Sequence, residues 1–170
     1  MSIDVSLNPK VVQIRQDAAE SYTTLTEMLN GPFAALPSAS LYDKPNPEEW
    51  SIMQSLAHIL EFMPYWGHEI SKLVAHPGQN FGRIMSNPAR LQGITDHEQD
   101  TLAQMQAALP ISYASLAQDL AALQDSDLEL EGQHSRYGVR SLAWFIEEFV
   151  TVHLRNHLHQ LEEVLALLKK

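Results

Sequence analysis

Residues 151–165 read TVHLRNHLHQLEEVL, and their periodicity decides the fold class. With the residues on either side they set Ile146, Val150, Leu161, Val164 and Leu168 on one line at helical spacing. His153 and His157 fall on the same line, between Val150 and Leu161. A helix advances about 100° per residue, so the two imidazoles lie one turn apart on a single inward face. Two neutral ring nitrogens so placed can share one divalent cation, as in helical His-x-x-x-His metal sites. Two core-edge histidines satisfied by hydrogen bonds would give the same spacing. The metal reading needs a third ligand from elsewhere in the chain.

Working outward, Ser141 is placed to cap this last helix, which runs to the C-terminus. At the other end of the chain, Asn8 and Pro9 suit an N-cap and first helical residue, and Val11, Ile14, Ala18, Tyr22, Leu25 and Leu29 continue the period. Asn30-Gly31-Pro32 ends that helix, with Gly31 suited to a left-handed C-cap. Residues 31–50 are a Pro- and Ser-rich connection that Leu36, Leu41 and Tyr42 could pin to the surface. Ser51 and Gln54 have the spacing of a capping box at the head of a second helix. From Ile52 to Val74 that helix is apolar around most of its circumference, which predicts burial on more than one side. Pro64 should kink it near Leu60.

His76-Pro77-Gly78 stops the second helix, and residues 77–94 read as an irregular connection in which Phe81 and Met85 mark a lid or a packed strap. Thr95 and Glu98 suggest a second capping box, starting a third helix from about Asp96 to Leu123 that Pro110 kinks or splits. Asp125–Arg140 is polar, with a turn at Gly138. Four long helices without a strand signal of matching strength predict an all-α, antiparallel four-helix bundle, formed as one domain over residues 1–170.

Composition excludes several functions. Twenty-one acidic residues against 11 basic ones give a formal charge of −10, and the basic residues are scattered, which disfavours nucleic-acid binding. The absence of cysteine removes disulfides, thiolate zinc sites and a cysteine nucleophile, and fits a reducing cytosol. No stretch has the roughly 20 apolar residues of a membrane span, and the N-terminus lacks a secretory pattern. A cytoplasmic protein without membrane partners is the expectation.

In a bundle, facing helices supply ligands to the space between them. His58, near the middle of the second helix, can complete a three-histidine site with His153 and His157. Three nitrogens leave a position open, which suits catalytic zinc and also nickel or iron. Trp50-Ser51 followed by His58-Ile59-Leu60, and His153-x-x-x-His157-x-x-Gln160-Leu161, resemble the two signatures of the DinB-like four-helix bundles. The order and separation of the motifs agree with that family over nearly the whole chain. The resemblance implies a divalent metal on His58, His153 and His157. It also implies a relationship to thiol-dependent S-transferases and a mycothiol-dependent isomerase, and to members induced by stress or damage. A small-molecule substrate, with a low-molecular-weight thiol as co-reactant or a water in its place, is then expected. The alternative is a non-enzymatic stress-response or binding protein with a structural or sequestered metal. A homodimer is expected from pairing of exposed apolar helix faces.

Neighbouring residues take subsidiary expectations. Gln160, one turn beyond His157, is a candidate to orient it, and an ordinary surface glutamine otherwise. Glu61 is either a partner of the site or, more simply, a solvated carboxylate. Phe62, Tyr65 and Trp66 either wall a substrate pocket or pack as plain core. His159 points away from His157, and His68, His76, His97 and His134 are expected on the surface.

Overall fold

The computed structural model describes residues 10–169, so the expected cap at Asn8 and Pro9 lies outside the described residues. Five helices account for most of it: α1 (Lys10–Asn30), α2 (Ile52–Ala75), α3 (Pro88–His97), α4 (Leu102–Ala122) and a last helix in two parts, α5 (Leu142–Ile146) and α6 (Val152–Leu168). A π turn, Glu147–Thr151, joins α5 to α6. A short hairpin, β1 (Glu131–His134) and β2 (Gly138–Ser141), precedes α5. The result is the all-α four-helix bundle that the periodicity predicts, built from α1, α2, α4 and the α5–α6 unit. Among the described residues no helix is long and apolar enough to cross a membrane.

The bundle has an unusual order. Among the four bundle helices, α1 and α2 each pack on α4 and α6 and not on one another, so the two consecutive helices are diagonal. Arg15 near the start of α1 donates to the carbonyls of Leu120 and Leu123 at the end of α4, while Gln106 near the start of α4 reaches Leu29. That pair is antiparallel, and so is α2 with α6, where Trp50 faces His157 and Trp66 faces Phe149. α2 and α4 run the same way, since Leu60 meets Ser112 and Ser71 meets Asp119. Residues 76–101 must therefore return along the bundle, and α3 is the part of that return which rests on α2. Gly93 permits the close approach, because a Cβ there would run into the Glu61 side chain.

Local chemistry explains the element ends. Ser51 accepts from Gln54 N–H while the Gln54 side chain accepts from Ser51 N–H, the predicted capping box. Pro64 does not interrupt α2. It frees the carbonyl of Leu60, and Ser112 Oγ on α4 donates to that carbonyl at 3.0 Å. Pro110 likewise sits inside one continuous α4. The expected box at Thr95 and Glu98 is not formed: Thr95 lies within α3 and bonds back to Leu91, and Glu98 instead accepts from the Gln54 side chain. The same pattern recurs six residues on, and Thr101 with Gln104 caps α4. Gly31 is not left-handed either; positive φ among the glycines is confined to Gly78, Gly82 and Gly138. Leu41 and Tyr42 do pin the first connection, Leu41 by burial and Tyr42 by a 2.6 Å hydrogen bond to the carbonyl of Asp100.

Candidate metal centre and its pocket

α2 buries His58 two turns from its start, and α6 brings His153 and His157 against it from the antiparallel direction. The three sequence-predicted residues therefore meet. Their Nε2 atoms converge: His58 to His153 is 3.2 Å, and His157 to His153 is also 3.2 Å. Ligand atoms from all three lie within 4.8 Å of one another, a group that could hold a metal ion. The Trp-Ser motif now has a physical reading. Ser51 caps α2, and Trp50 stands with its edge toward His58 and its face parallel to His157.

Burial keeps these rings neutral. It lowers His58 to about 2, with help from the charges of His157, Arg90 and His153. The same cause, followed by His157 and Arg90, lowers His153 to about 3. His157 is lowered to about 4, because a hydrogen bond with Gln160 offsets part of the burial. Neutral imidazole is the form that binds a cation. His157 Nδ1 donates to Gln160 Oε1 at 3.2 Å, which leaves the lone pair on Nε2 and aims it at the other two rings. Gln160 thus takes the orienting role that its spacing suggests. His58 Nδ1 is buried without a partner.

One wall of the site opens into a pocket of ≈ 410 Å³ that His58 and His153 share with residues from three other segments. Trp66 of α2 and Phe149 of the π turn stack at 4.3 Å to form its flat apolar side. The strap after α2 contributes Arg83, Ile84 and Met85, α3 contributes Arg90, and the hairpin contributes His134, Arg136 and Tyr137. Glu148 reaches the same pocket because the π turn takes an extra residue into its i→i+5 loop, which brings residues five apart to one side. Trp66 does wall the pocket. Phe62 instead packs edge-on against His153, and Tyr65 lies under the Arg83 guanidinium at 3.7 Å.

Two expectations fail here. Glu61 is not solvated: both of its oxygens accept from Arg83 at 2.6 Å, and the pair is largely buried. His134 is not a surface residue. It is 3% exposed, and its Nδ1 accepts from the backbone N–H of Arg136, which puts the ring proton on Nε2. Burial lowers its pKa, with the Arg83 backbone pulling the other way. His159, His68, His76 and His97 are exposed as expected. The arginines, Glu148 and Tyr137 carried no sequence signal, since each arrives through a turn or a long-range pairing.

The strap is fixed at several points. Phe81 is buried and stacks on Phe145 at 4.3 Å, and Glu69 accepts from Gly82 N–H at 2.6 Å. Phe81 N–H donates to the carbonyl of Gln133, and Gln133 N–H to that of Gln79, so the strap extends the hairpin by a parallel bridge at Asn80. Met85, in contrast, is 69% exposed at the mouth.

The family model of the DinB superfamily matches residues 21–161. Among solved structures, YfiT from Bacillus subtilis, described as a probable metal-dependent hydrolase with an unusual four-helix bundle topology, is 12% identical with a TM-score of 0.70, over 96% of this chain and 90% of its own. A mycothiol-dependent maleylpyruvate isomerase is 11% identical with a TM-score of 0.63; the alignment covers 99% of this chain and 63% of the isomerase. An uncharacterized protein from Clostridium difficile 630 is also 11% identical, at TM-score 0.63 over 90% of this chain and 94% of its own. No curated protein matches the sequence.

Proposed function

The chain belongs to the DinB superfamily, and on that premise we propose that it is a metal-dependent enzyme acting on a small organic molecule. His58, His153 and His157 would hold one divalent ion of zinc, nickel or iron. The observation that carries this reading is the pair of 3.2 Å Nε2–Nε2 separations. Two nitrogens bound at about 2.0–2.1 Å to one ion, at angles between octahedral and tetrahedral, stand about 2.9–3.4 Å apart. A bound ion of this kind supplies Lewis acidity, making a small-molecule thiol or a water more acidic near neutral pH.

The chain's own residues do the rest. Gln160 holds the His157 tautomer, Trp50 and Phe62 keep water from the back of the rings, and Trp66 with Phe149 orients an apolar substrate body. Glu148 is the carboxylate placed to take or return a proton at the pocket wall. Three donors beside an open pocket favour catalysis over a structural or sequestered metal, because structural zinc sites are closed by four protein ligands. The description of YfiT as a probable metal-dependent hydrolase supports a hydrolytic use of the site, and the mycothiol dependence of the isomerase a thiol-dependent one.

The test is metal content by mass spectrometry on tag-free protein, comparing wild type with the His58→Ala/His153→Ala double variant. Near-stoichiometric zinc, nickel or iron in the wild type and none in the variant is expected. A wild type that stays empty after incubation with each ion would overturn the proposal. Thiol and water are then separated by adding a low-molecular-weight thiol to the cobalt-substituted protein, where a sulfur–cobalt charge-transfer band marks thiol binding.

A further inference from the structure

The protein is strongly acidic, yet it gathers three of its six arginines, Arg83, Arg90 and Arg136, around one ≈ 410 Å³ pocket. Arg83 is neutralised by Glu61. Among the described residues, Arg90 and Arg136 have no carboxylate within salt-bridge distance. Arg90 is half-buried, tied by one NH1 to the carbonyl of Met85 and lying over the Trp50 ring. Arg136 lies in the exposed turn of the hairpin and lines the same pocket.

Burial of an unpaired guanidinium is unfavourable and pushes the pKa of Arg90 down; the Arg83 charge adds to this and the Glu61 carboxylate opposes it. Both arginines lie on covering segments, α3 and the hairpin turn, and not on the four helices of the bundle. Their common feature is the space they face. Glu148, the one carboxylate among the described residues lining that pocket, reduces the positive field without cancelling it. The same pocket is lined by the stacked rings of Trp66 and Phe149.

Resting on the reading of this pocket as a substrate site, we propose that it takes a small organic anion, with an oxyanion held between Arg90 and Arg136 and an apolar body laid against Trp66 and Phe149. The shared chemistry is a compact oxyanion, carboxylate or phosphate ester, because planar guanidinium forks pair with either. The ring wall and the exposed Ile84 and Met85 at the mouth exclude a bare inorganic ion as the natural occupant, since it would leave the apolar surface wet.

Phenylacetate, phenyl phosphate and neutral phenylacetamide share one ring and differ in charge, so calorimetric titration of each isolates the arginines' contribution. The titrations are run on both metal-stripped and zinc-loaded protein. The expected result is that one or both anions bind about tenfold or more tighter than the amide, in both forms. The tighter of the two identifies the oxyanion. Arg90→Gln/Arg136→Gln should abolish the preference while amide binding stays unchanged. Arg136→Gln alone, at an exposed turn where folding is not at stake, should cut it severalfold. Glu148→Gln should strengthen anion binding.

Equal binding of the amide by wild type would overturn the proposal. So would a preference that survives in the double arginine variant, or one seen only in the zinc-loaded protein, which would make the metal the receptor. Failure of the protein to take up metal would sink the proposed function and leave the metal-stripped titrations as informative as before.

Discussion

The pocket has a floor and a cover that are built differently. The floor is α2 against α6: long, capped helices whose buried faces carry His58, His153 and His157. Its polar groups are neutral and held by packing. The cover is the strap, α3 and the hairpin tip, short segments carrying arginines and an exposed methionine. It is held by a few specific polar ties, chiefly Glu61–Arg83 and Glu69–Gly82. A floor built from neutral, desolvated nitrogens should be sensitive to protons and metal. A cover built on one ion pair and the close-fitting Gly82 and Gly93 should be sensitive to single substitutions that leave the metal donors in place.

The largest expected effect sharpens the floor. His58, His153 and His157 are held at about 2, 3 and 4 against 6.5 for the free side chain. The unfolded chain binds protons below pH 6.5 that the folded metal-stripped protein refuses. Stability is therefore fully present above that pH and is lost as the pH falls toward the folded values. Each histidine is half-protonated in the unfolded chain at pH 6.5 and costs about 1 kcal/mol over the next unit down, approaching about 1.4 per unit below that, so roughly 3 kcal/mol goes between pH 6.5 and 5.5. Urea denaturation of chelator-treated protein at pH 7.5, 6.5 and 5.5 measures this. The slope should drop by about a third in His157→Gln, and an unchanged slope would show that the rings are not held neutral.

Next comes the cover's ion pair. Arg83→Met removes a guanidinium whose side chain is 8% exposed and leaves Glu61, 14% exposed, without a partner. Breaking one side of such a pair costs about 3 kcal/mol. The double variant Glu61→Gln/Arg83→Met should recover much of that loss, since the uncompensated charge is gone. Metal content should match wild type in both. If Arg83→Met also empties the metal site, floor and cover are not separable.

The same division decides what was legible in the sequence. The floor announces itself through period: three histidines on apolar helix faces, Ser51 with Gln54, and Gln160 one turn past His157 were all readable before any coordinate. The cover was not. α3 starts at Asn87-Pro88, whose cap and first-turn signals were absorbed into an apparently irregular stretch. Thr95 and Glu98 mimicked a cap because the pattern recurs at Thr101 and Gln104, and only packing tells which pair begins a helix. The hairpin strands are four residues each and mostly polar, too short for alternation to show. The π turn that swings Glu148 into the pocket has no periodic signature, since it is a single extra residue in an otherwise helical run. His134 and Glu61 became buried through partners 22 residues or more away or through the strap itself, which local sequence does not encode.

A smaller effect tests how tightly the cover fits. Gly82 has φ +77°, and a Cβ there would lie 2.8 and 2.9 Å from the Trp66 ring. Gly82→Ala should cost about 2 kcal/mol, from backbone strain together with displacement of the ring. Gly78→Ala has a similar φ of +83° but nothing within 4 Å, so it should lose only the backbone part, about 1 kcal/mol. Thermal melts of both proteins give the difference, and tryptophan fluorescence should shift in the first alone. Equal losses would mean that Trp66 yields freely and that the strap does not set the pocket wall.

The smallest effect is confined to the floor and probes orientation without touching a donor. Gln160 is half-buried, and its Oε1 accepts from His157 Nδ1. Gln160→Met keeps the length and apolar stem of the side chain and deletes the acceptor. His157 is then free to carry its proton on Nε2, the atom a metal needs, so binding must first move that proton and reorient the ring. Loss of such an outer hydrogen bond weakens metal affinity by about tenfold. Competition against a chelator of known affinity reads that change directly, while the urea midpoint of the metal-free protein should move by less than about 0.5 kcal/mol. Gln160→Glu restores an acceptor and should return affinity to wild type or above it. A tenfold loss in both variants would indicate that Gln160 acts through packing and not through the ring nitrogen.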